Sequence, residues 1–255
     1  MIQNSKLIGI IGGVGPYAGL DLTEKIFDET IAQSDQDHLP VALLSIPEKI
    51  ADRTEFLLGN TEENPAIAVT ELIQYLEQLG ANVIGIPCNT MHAHEIFGTI
   101  QSILYQKNSK VHLLNMIEEV IHFIISNHPG MRKIGILSTK GTYKSEVYDS
   151  ELRKNGLEPV TPDVTKQDSI HDAIYNPKYG IKAVSRPVSN YAKEILNQGI
   201  HQLEKKGAQG IVLGCTEIAF ALTDKQKENP KLFDATRILA RALIRETYPE
   251  KLRKF

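Results

Sequence analysis

Along the chain, short β-branched apolar runs alternate with longer stretches in which apolar residues recur every three to four positions. The short runs predict strands at 6–12, 40–46, 82–87, 110–114, 133–138, 157–161, 209–213 and 231–233, bounded by Gly, Pro or Asn. Runs of this kind fit strands buried on both faces of a parallel sheet. The longer patterns predict helices near 17–33, 63–79, 90–105, 116–127, 141–155, 166–175, 187–206, 216–222 and 235–247. Gly156 and Gly207 follow two helix ends, where a left-handed C-cap belongs. This alternation predicts an α/β fold with parallel sheets. The stretch "NPKYGIKAVSRPVS", Asn176 to Ser189, carries two prolines and a glycine and reads as a long loop.

The second half repeats the first. Leu76, Glu77, Gly80, Ala81, Ile84 and Cys88 fall on Leu203, Glu204, Gly207, Ala208, Ile211 and Cys215 at an offset of 127. Nearer the start of each half, "KLIGII" at Lys6 meets "RKIGIL" at Arg132 with a one-residue slip. Helix-Gly-strand boundaries converge on similar residues, but that does not account for the matched cysteines. Both end an apolar run, in "GANVIGIPCNTMH" and "GAQGIVLGCTEIA". In open parallel sheets, ligands bind beyond the carboxyl ends of the strands. Two halves packed about a pseudo-twofold axis would bring both cysteines to one cleft, facing a bound molecule from opposite sides.

Composition narrows the setting. The 255 residues allow one large domain or two small ones, and 42% hydrophobic with 23% charged residues is ordinary globular chemistry. A net charge of -3 gives no basic footprint for nucleic acid or for a membrane surface. No apolar run approaches the roughly 20 residues of a membrane span. The opening "MIQNSKLIGIIGG" reads as a buried strand rather than a signal peptide, for it has no small-residue cleavage site. Two cysteines make no disulfide framework, so a reducing cytoplasm is expected.

A cysteine at a helix N-terminus has its pKa lowered from about 8.5 by unpaired N–H groups and the helix dipole. Such a thiolate serves as nucleophile or base. A nucleophile calls for a nearby histidine, and only His92 offers itself. A metal site is poorly supported, because there is no C-x-x-C pair and His92 and His94 diverge on a helix. Opposed acid/base groups suit another reaction: removing a proton from one face of a carbon and returning one to the other. The carbanion formed next to a carboxylate needs hydrogen-bond donors. The backbone N–H groups after each cysteine, with Asn89, Thr90 and Thr216, supply them.

"PCNT" at Cys88, "GCTE" at Cys215 and the opening "GIIGGVGPYAG" resemble the aspartate/glutamate racemase family, which works without pyridoxal phosphate. The likeness spans nearly the whole chain and is nearest the aspartate branch. It implies two similar α/β domains with the site between them, residues 1–115 with 223–255 and residues 116–222. It also implies no cofactor, no metal, a small acidic amino acid as substrate, and a homodimer. Carried over by position, Cys88 and Cys215 are the two bases, and Asn89, Thr90 and Thr216 hold the α-carboxylate end. Arg53, in "ADRTEFLLG", grips a substrate carboxylate, a task suited to a planar guanidinium. Lys182 is the second cation; Val184 departs from the family's glycine there, and Lys178 is the alternative. Gly13 belongs to a glycine turn lining the cleft. Glu217 stands where glutamate racemases carry histidine. It orients the substrate ammonium, tunes Cys215, or is a first-turn acid favoured by the helix dipole.

Three rivals remain at this level. Gly13, Gly15 and Ala18 satisfy G-x-G-x-x-A, a dinucleotide pattern, but Pro16 removes an N–H from the turn and no acid ends the second strand. A binding module for an acidic ligand needs neither cysteine. A broader amino-acid racemase, or an isomerase of a non-amino dicarboxylate such as maleate, shares the same residues. The irregular 176–189 segment, with its lysines, has the character of a mobile lid.

Overall fold

The computed structural model of the protein describes residues 6–222 and 231–254. Among them are eight strands, each within two residues of its expected place: β1 (Leu7–Gly12), β2 (Val41–Ser45), β3 (Ala81–Gly85), β4 (His112–Leu113), β5 (Lys133–Ser138), β6 (Glu158–Val160), β7 (Gly210–Gly214) and β8 (Lys231–Asp234). All pair in parallel, in two four-stranded sheets of order β2-β1-β3-β4 and β6-β5-β7-β8. The second order is the first with every strand moved on by four. Eleven helices accompany them: α1 (Pro16–Glu29), α2 (Arg53–Leu57), α3 (Ala66–Gln78), α4 (His94–Gln106), α5 (Met116–Asn127), α6 (Lys140–Lys144), α7 (Val147–Lys154), α8 (Val164–Tyr175), α9 (Asn190–Lys205), α10 (Ile218–Ala221) and α11 (Ala235–Thr247). The fold is therefore α/β with two similar halves, and none of the described helices is long and apolar enough to cross a membrane.

The repeat extends to side-chain packing. Gly9 in β1 lies opposite Ile84 in β3, and Gly135 in β5 opposite Ile211 in β7. A Cβ on Gly9 would meet Ile84, Ala81 and Leu76 at 2.8, 3.1 and 3.2 Å. One on Gly135 would meet Ile211, Ala208 and Leu203 at 2.9, 3.2 and 3.2 Å. Those are the residues matched by the 127 offset. The helix that ends just before β3, and its counterpart before β7, sit so close to the sheet that no side chain fits between.

Alternation along the strands sends side chains to two different cores. Ile8, Ile10 and Val83 of one sheet and Ile134, Ile136 and Val212 of the other share a central core with α5 and α11. On the outer face of the first sheet, Ile11 and Ile84 pack with α3 and α4. Leu137, Ile211 and Leu213 do the same with α8 and α9 in the second. The closing helices are exchanged between halves. Helix α5 follows β4 but packs on α11 and α7, and α11 follows β8 but packs on α1, α5, β1 and β3. Strand β8 itself hydrogen-bonds to β7 in the second sheet. Of the segments 1–115 and 223–255, residues 1–5, 223–230 and 255 lie outside the described residues.

Several helices differ from expectation. Helix α2 has five residues, too few to show a period, and is held by Asp52, whose carboxylate accepts from the backbone of Thr54 at 2.7 Å and Glu55 at 3.0 Å. The expected 141–155 helix breaks into α6 and α7 at Glu146, where φ is 50°. The 187–206 pattern becomes helical only after Pro187, with Ser189 capping α9 through Ala192 N–H at 3.2 Å. Neither cysteine stands at the head of a long helix. Cys88 precedes a single 3₁₀ turn, Asn89–His92, and Cys215 precedes the four-residue α10. The dipole expected behind each sulfur is correspondingly small, because it grows from aligned peptides over several turns.

Candidate active site

The carboxyl ends of the two sheets meet at one small, narrow cavity. Beyond β3 come Cys88, Asn89 and Thr90, and directly after β7 come Cys215, Thr216 and Glu217; all six line it. Arg53, the first residue of α2, and Lys182, from the irregular loop, line it too. The site lies beyond strand ends, as open parallel sheets require. Both cysteines are buried to the same degree, each 7% exposed.

The two turns share a backbone. Met91 N–H donates to the Cys88 carbonyl at 3.1 Å, and Ile218 N–H to the Cys215 carbonyl at 3.0 Å, again 127 residues apart. Their side chains do not match. At the first turn, Asn89 accepts a hydrogen bond from Tyr148 Oη at 2.5 Å, while its buried Nδ2 has no protein partner. Thr90 bonds Thr142 at 3.0 Å. His92 lies behind the turn and donates from Nδ1 to the Cys88 carbonyl at 2.9 Å. Full burial holds its pKa down at about 4, so the ring is neutral.

Arg53 stands over Cys88. Its Nη2 donates to the Val14 carbonyl at 3.3 Å and its Nη1 to the Ala51 carbonyl at 3.4 Å, while Nε is buried without a partner. Burial disfavours the guanidinium charge, but neighbouring Cys88 and Asp52 outweigh it and raise the pKa. With Asn89 Nδ2, this leaves buried donors that protein groups do not satisfy, a costly arrangement unless a ligand accepts from them.

At the second turn, Glu217 organises everything. Its Oε1 accepts from Lys182 Nζ at 2.7 Å, and its Oε2 accepts from Cys215 Sγ at 3.0 Å and Thr216 Oγ1 at 3.1 Å. Burial would raise the Glu217 pKa, but Lys182 and the bond from Cys215 bring it down to about 2. The carboxylate in turn keeps Lys182 charged against its own burial. Burial and the Glu217 charge together push the Cys215 thiol well up, more than Lys182 offsets. The expectation of a lowered pKa is thus reversed at Cys215: a short helix contributes little, and a carboxylate lies 3.0 Å away.

Of the residues singled out from sequence, Cys88, Cys215, Arg53, Asn89, Thr90, Thr216, Lys182 and Glu217 converge here, and Gly13 and Lys178 do not line the cavity. Gly13 has φ +80° and backs onto Pro47, whose N would lie 2.9 Å from an added Cβ; the next residue, Val14, faces the site. Lys182 is placed by its own backbone, which donates to the Ile174 carbonyl at 3.0 Å. Three lining residues were not foreseen: Val14, Thr139 and Tyr175. Tyr175 Oη bonds Thr54 at 3.1 Å, tying the loop side of the site to α2, and Lys182 Nζ lies 5.3 Å from its ring centre. Among the described residues, no group of three or more His, Cys, Asp or Glu side chains could hold a metal ion.

A fold of two repeated parallel α/β halves, with paired sulfurs and buried anion-seeking donors at their junction, is that of a racemase. The chain belongs to the Asp/Glu/Hydantoin racemase family, whose model matches residues 11–243. The broad specificity amino-acid racemase RacX of Bacillus subtilis (strain 168) is 27% identical over 243 residues, covering 93% of this chain and 96% of that protein. The aspartate racemase of Picrophilus torridus is a structural relative with TM-score 0.79 and 31% identity, over 95% of this chain and 94% of that one. Glutamate racemase of Francisella tularensis subsp. tularensis SCHU S4, solved with D-glutamate, shares the fold at TM-score 0.61 and 15% identity, over 99% and 84%. The protein is an amino-acid racemase of the aspartate/glutamate type.

Proposed function

We propose that the enzyme interconverts L- and D-aspartate, with glutamate as a second substrate, by a two-base mechanism that uses Cys88 and Cys215 and no pyridoxal phosphate. The observation that carries this reading is the convergence of both sulfurs on one small cavity. One thiolate takes the α-proton from one face, and the opposite thiol delivers its proton to the other. Arg53 and Asn89 hold the α-carboxylate and stabilise the charge that moves onto it, from donors already in place. Thr90 and Thr216 add hydroxyl donors, and Lys182 with Glu217 meets the remaining polar groups of the substrate.

A broader amino-acid racemase is a second reading, favoured by one feature. Lys182 is already neutralised by Glu217 at 2.7 Å, so Arg53 is the cavity cation without a carboxylate partner among the described residues. A site with one such cation tolerates substrates with a single carboxylate. For the architecture, we propose domains of 1–115 with 223–255 and of 116–222, the return to the first domain being made by α11 once β8 has completed the second sheet. We further propose a cytoplasmic homodimer.

The deciding experiment incubates purified, reduced protein with L-aspartate in deuterated water and no added cofactor. Proton NMR follows loss of the α-proton, and circular dichroism follows inversion. Coupled exchange and racemisation is expected. Folded protein that leaves aspartate, glutamate and the other common amino acids unexchanged would overturn the reading. Exchange without a preference for acidic side chains would favour the broader one.

A further inference from the structure

The 127-residue offset that superposes Cys88 on Cys215 also superposes Thr90 on Glu217. One half therefore carries a hydroxyl where the other carries a buried carboxylate, and that carboxylate already holds three donors. Its Oε2 accepts from Cys215 at 3.0 Å and from Thr216 at 3.1 Å, and its Oε1 from Lys182 at 2.7 Å. A thiol is a donor to a carboxylate only while it keeps its proton. On the other side of the cavity, Cys88 has the Arg53 guanidinium as its charged neighbour.

Backbone choice in the first half secures this geometry. Gly15 has φ +118°, and a Cβ there would collide with Glu217 Oε1. The glycine turn after β1 thus leaves room for the Glu217 carboxylate to reach Lys182.

Given the two-base reading above, we propose that Glu217 is a positioning residue that keeps the free enzyme's proton on Cys215, so that the resting form has Cys215 as acid and Cys88 as base. The enantiomer whose α-hydrogen points at Cys88 meets the resting form directly. Its turnover moves one proton from carbon to Cys88 and one from Cys215 to carbon, leaving Cys88 as thiol and Cys215 as thiolate beside a carboxylate. Solvent then returns the proton from Cys88 to Cys215. The opposite enantiomer must find that second, less populated form. Besides Glu217, the charged and titratable groups around Cys215 are Lys182 from the loop, Tyr175 from α8, and Arg53 and Cys88 across the cavity. Burial and the Glu217 charge both hold the Cys215 proton on, against the pull of Lys182.

The test reads the two thiols separately and does not depend on turnover. Wild type and Glu217→Gln are alkylated with iodoacetamide across a pH series, and each cysteine is quantified by peptide mass spectrometry. Each cysteine is judged by the pH at which its rate rises, and is compared with itself between wild type and variant, so that thiolate content is read apart from access to the sulfur. In wild type, the Cys215 rate is expected to rise only at higher pH than the Cys88 rate. In Glu217→Gln, the Cys215 rate near neutral pH is expected to rise by about tenfold or more, equivalent to one pH unit, with Cys88 unchanged. An unmoved Cys215 profile in a folded variant overturns the proposal. If the variant does not fold, wild type decides alone: a Cys215 rate that rises at lower pH than the Cys88 rate overturns it, and one that rises at higher pH supports it. Where racemisation is measurable, the basic limb of the kcat/KM profile is expected to move to lower pH in Glu217→Gln. It should move identically for both enantiomers, because an equilibrium constant of one ties the two directions together. If the enzyme racemises nothing, the alkylation contrast still stands or falls on its own.

Discussion

The two halves agree where the chain is scaffold and part company where it is chemistry. Gly9 and Gly135 meet equivalent neighbours at distances that differ by no more than 0.1 Å. The turns after β3 and β7 share the same backbone hydrogen bond. Yet Cys88 is flanked by Asn89, Thr90 and a buried histidine, with Arg53 overhead, whereas Cys215 is flanked by Thr216 and a carboxylate bound to Lys182. Close packing resists change of even one methylene, so duplicated scaffold stays alike. A polar cavity can change its hydrogen-bonding partners one residue at a time. The substrate is chiral, so the two faces of the site have different groups to meet.

The largest break in the comparison should come from the sulfurs. Cys88→Ser and Cys215→Ser should each lower racemisation by about 10²- to 10⁴-fold, the usual worth of a positioned acid or base, measured as kcat by polarimetry. Full activity in either variant would remove that cysteine from the mechanism.

Next comes His92, whose counterpart at the 127 offset is Ala219. Its folded pKa, about 4, lies below its unfolded value of 6.5. The unfolded chain therefore binds the extra proton, and stability is lost as pH falls from about 6.5 through about 4. The loss is of the order of 3 kcal/mol at most. Thermal melts of wild type should show that decline, and His92→Asn should flatten it. Glu217 acts lower on the scale. With a folded pKa of about 2 against an ordinary 4.5, its contribution is present above about 4.5 and fades below it.

Arg53→Lys should lower kcat/KM by roughly 10- to 100-fold, since an ammonium cannot reproduce the planar donor set at a cost of about 1.5–3 kcal/mol. The smallest effect sharpens the likeness instead of the difference. Gly9→Ala and Gly135→Ala should each cost about 1–3 kcal/mol by overpacking, and urea titration should find the two losses equal within error. Unequal losses would show that the two packing sites are less alike than their distances.

The sequence displays most of this because the scaffold obeys local rules. Buried parallel strands read as apolar runs, and both cysteines follow such runs directly. Duplication then made their shared placement visible, and the α/β fold with its two halves is the one found. What stayed hidden depends on contacts between distant segments. Thr139 follows β5 as Gly13 follows β1, with the same one-residue slip, so the repeat held a clue to it. Tyr175 carried no such signal, for it is an aromatic at the end of an amphipathic helix that happens to meet Thr54. Helix α2 was marked only by Asp52 and Glu55, three apart in capping-box spacing. The reversed acidity of Cys215 needed its burial and the Glu217 carboxylate turned onto its sulfur, neither of which a local pattern displays.

The exchange of α5 and α11 has a consequence for how the molecule melts. Each half closes with a helix that buries its apolar face on the other, and both contribute to the central core. Peeling one half away would strand a greasy surface on each, so no half-unfolded species has a core of its own to rest on. The protein should lose heat-sensitive structure in a single cooperative step, its calorimetric and van't Hoff enthalpies equal despite the doubled architecture.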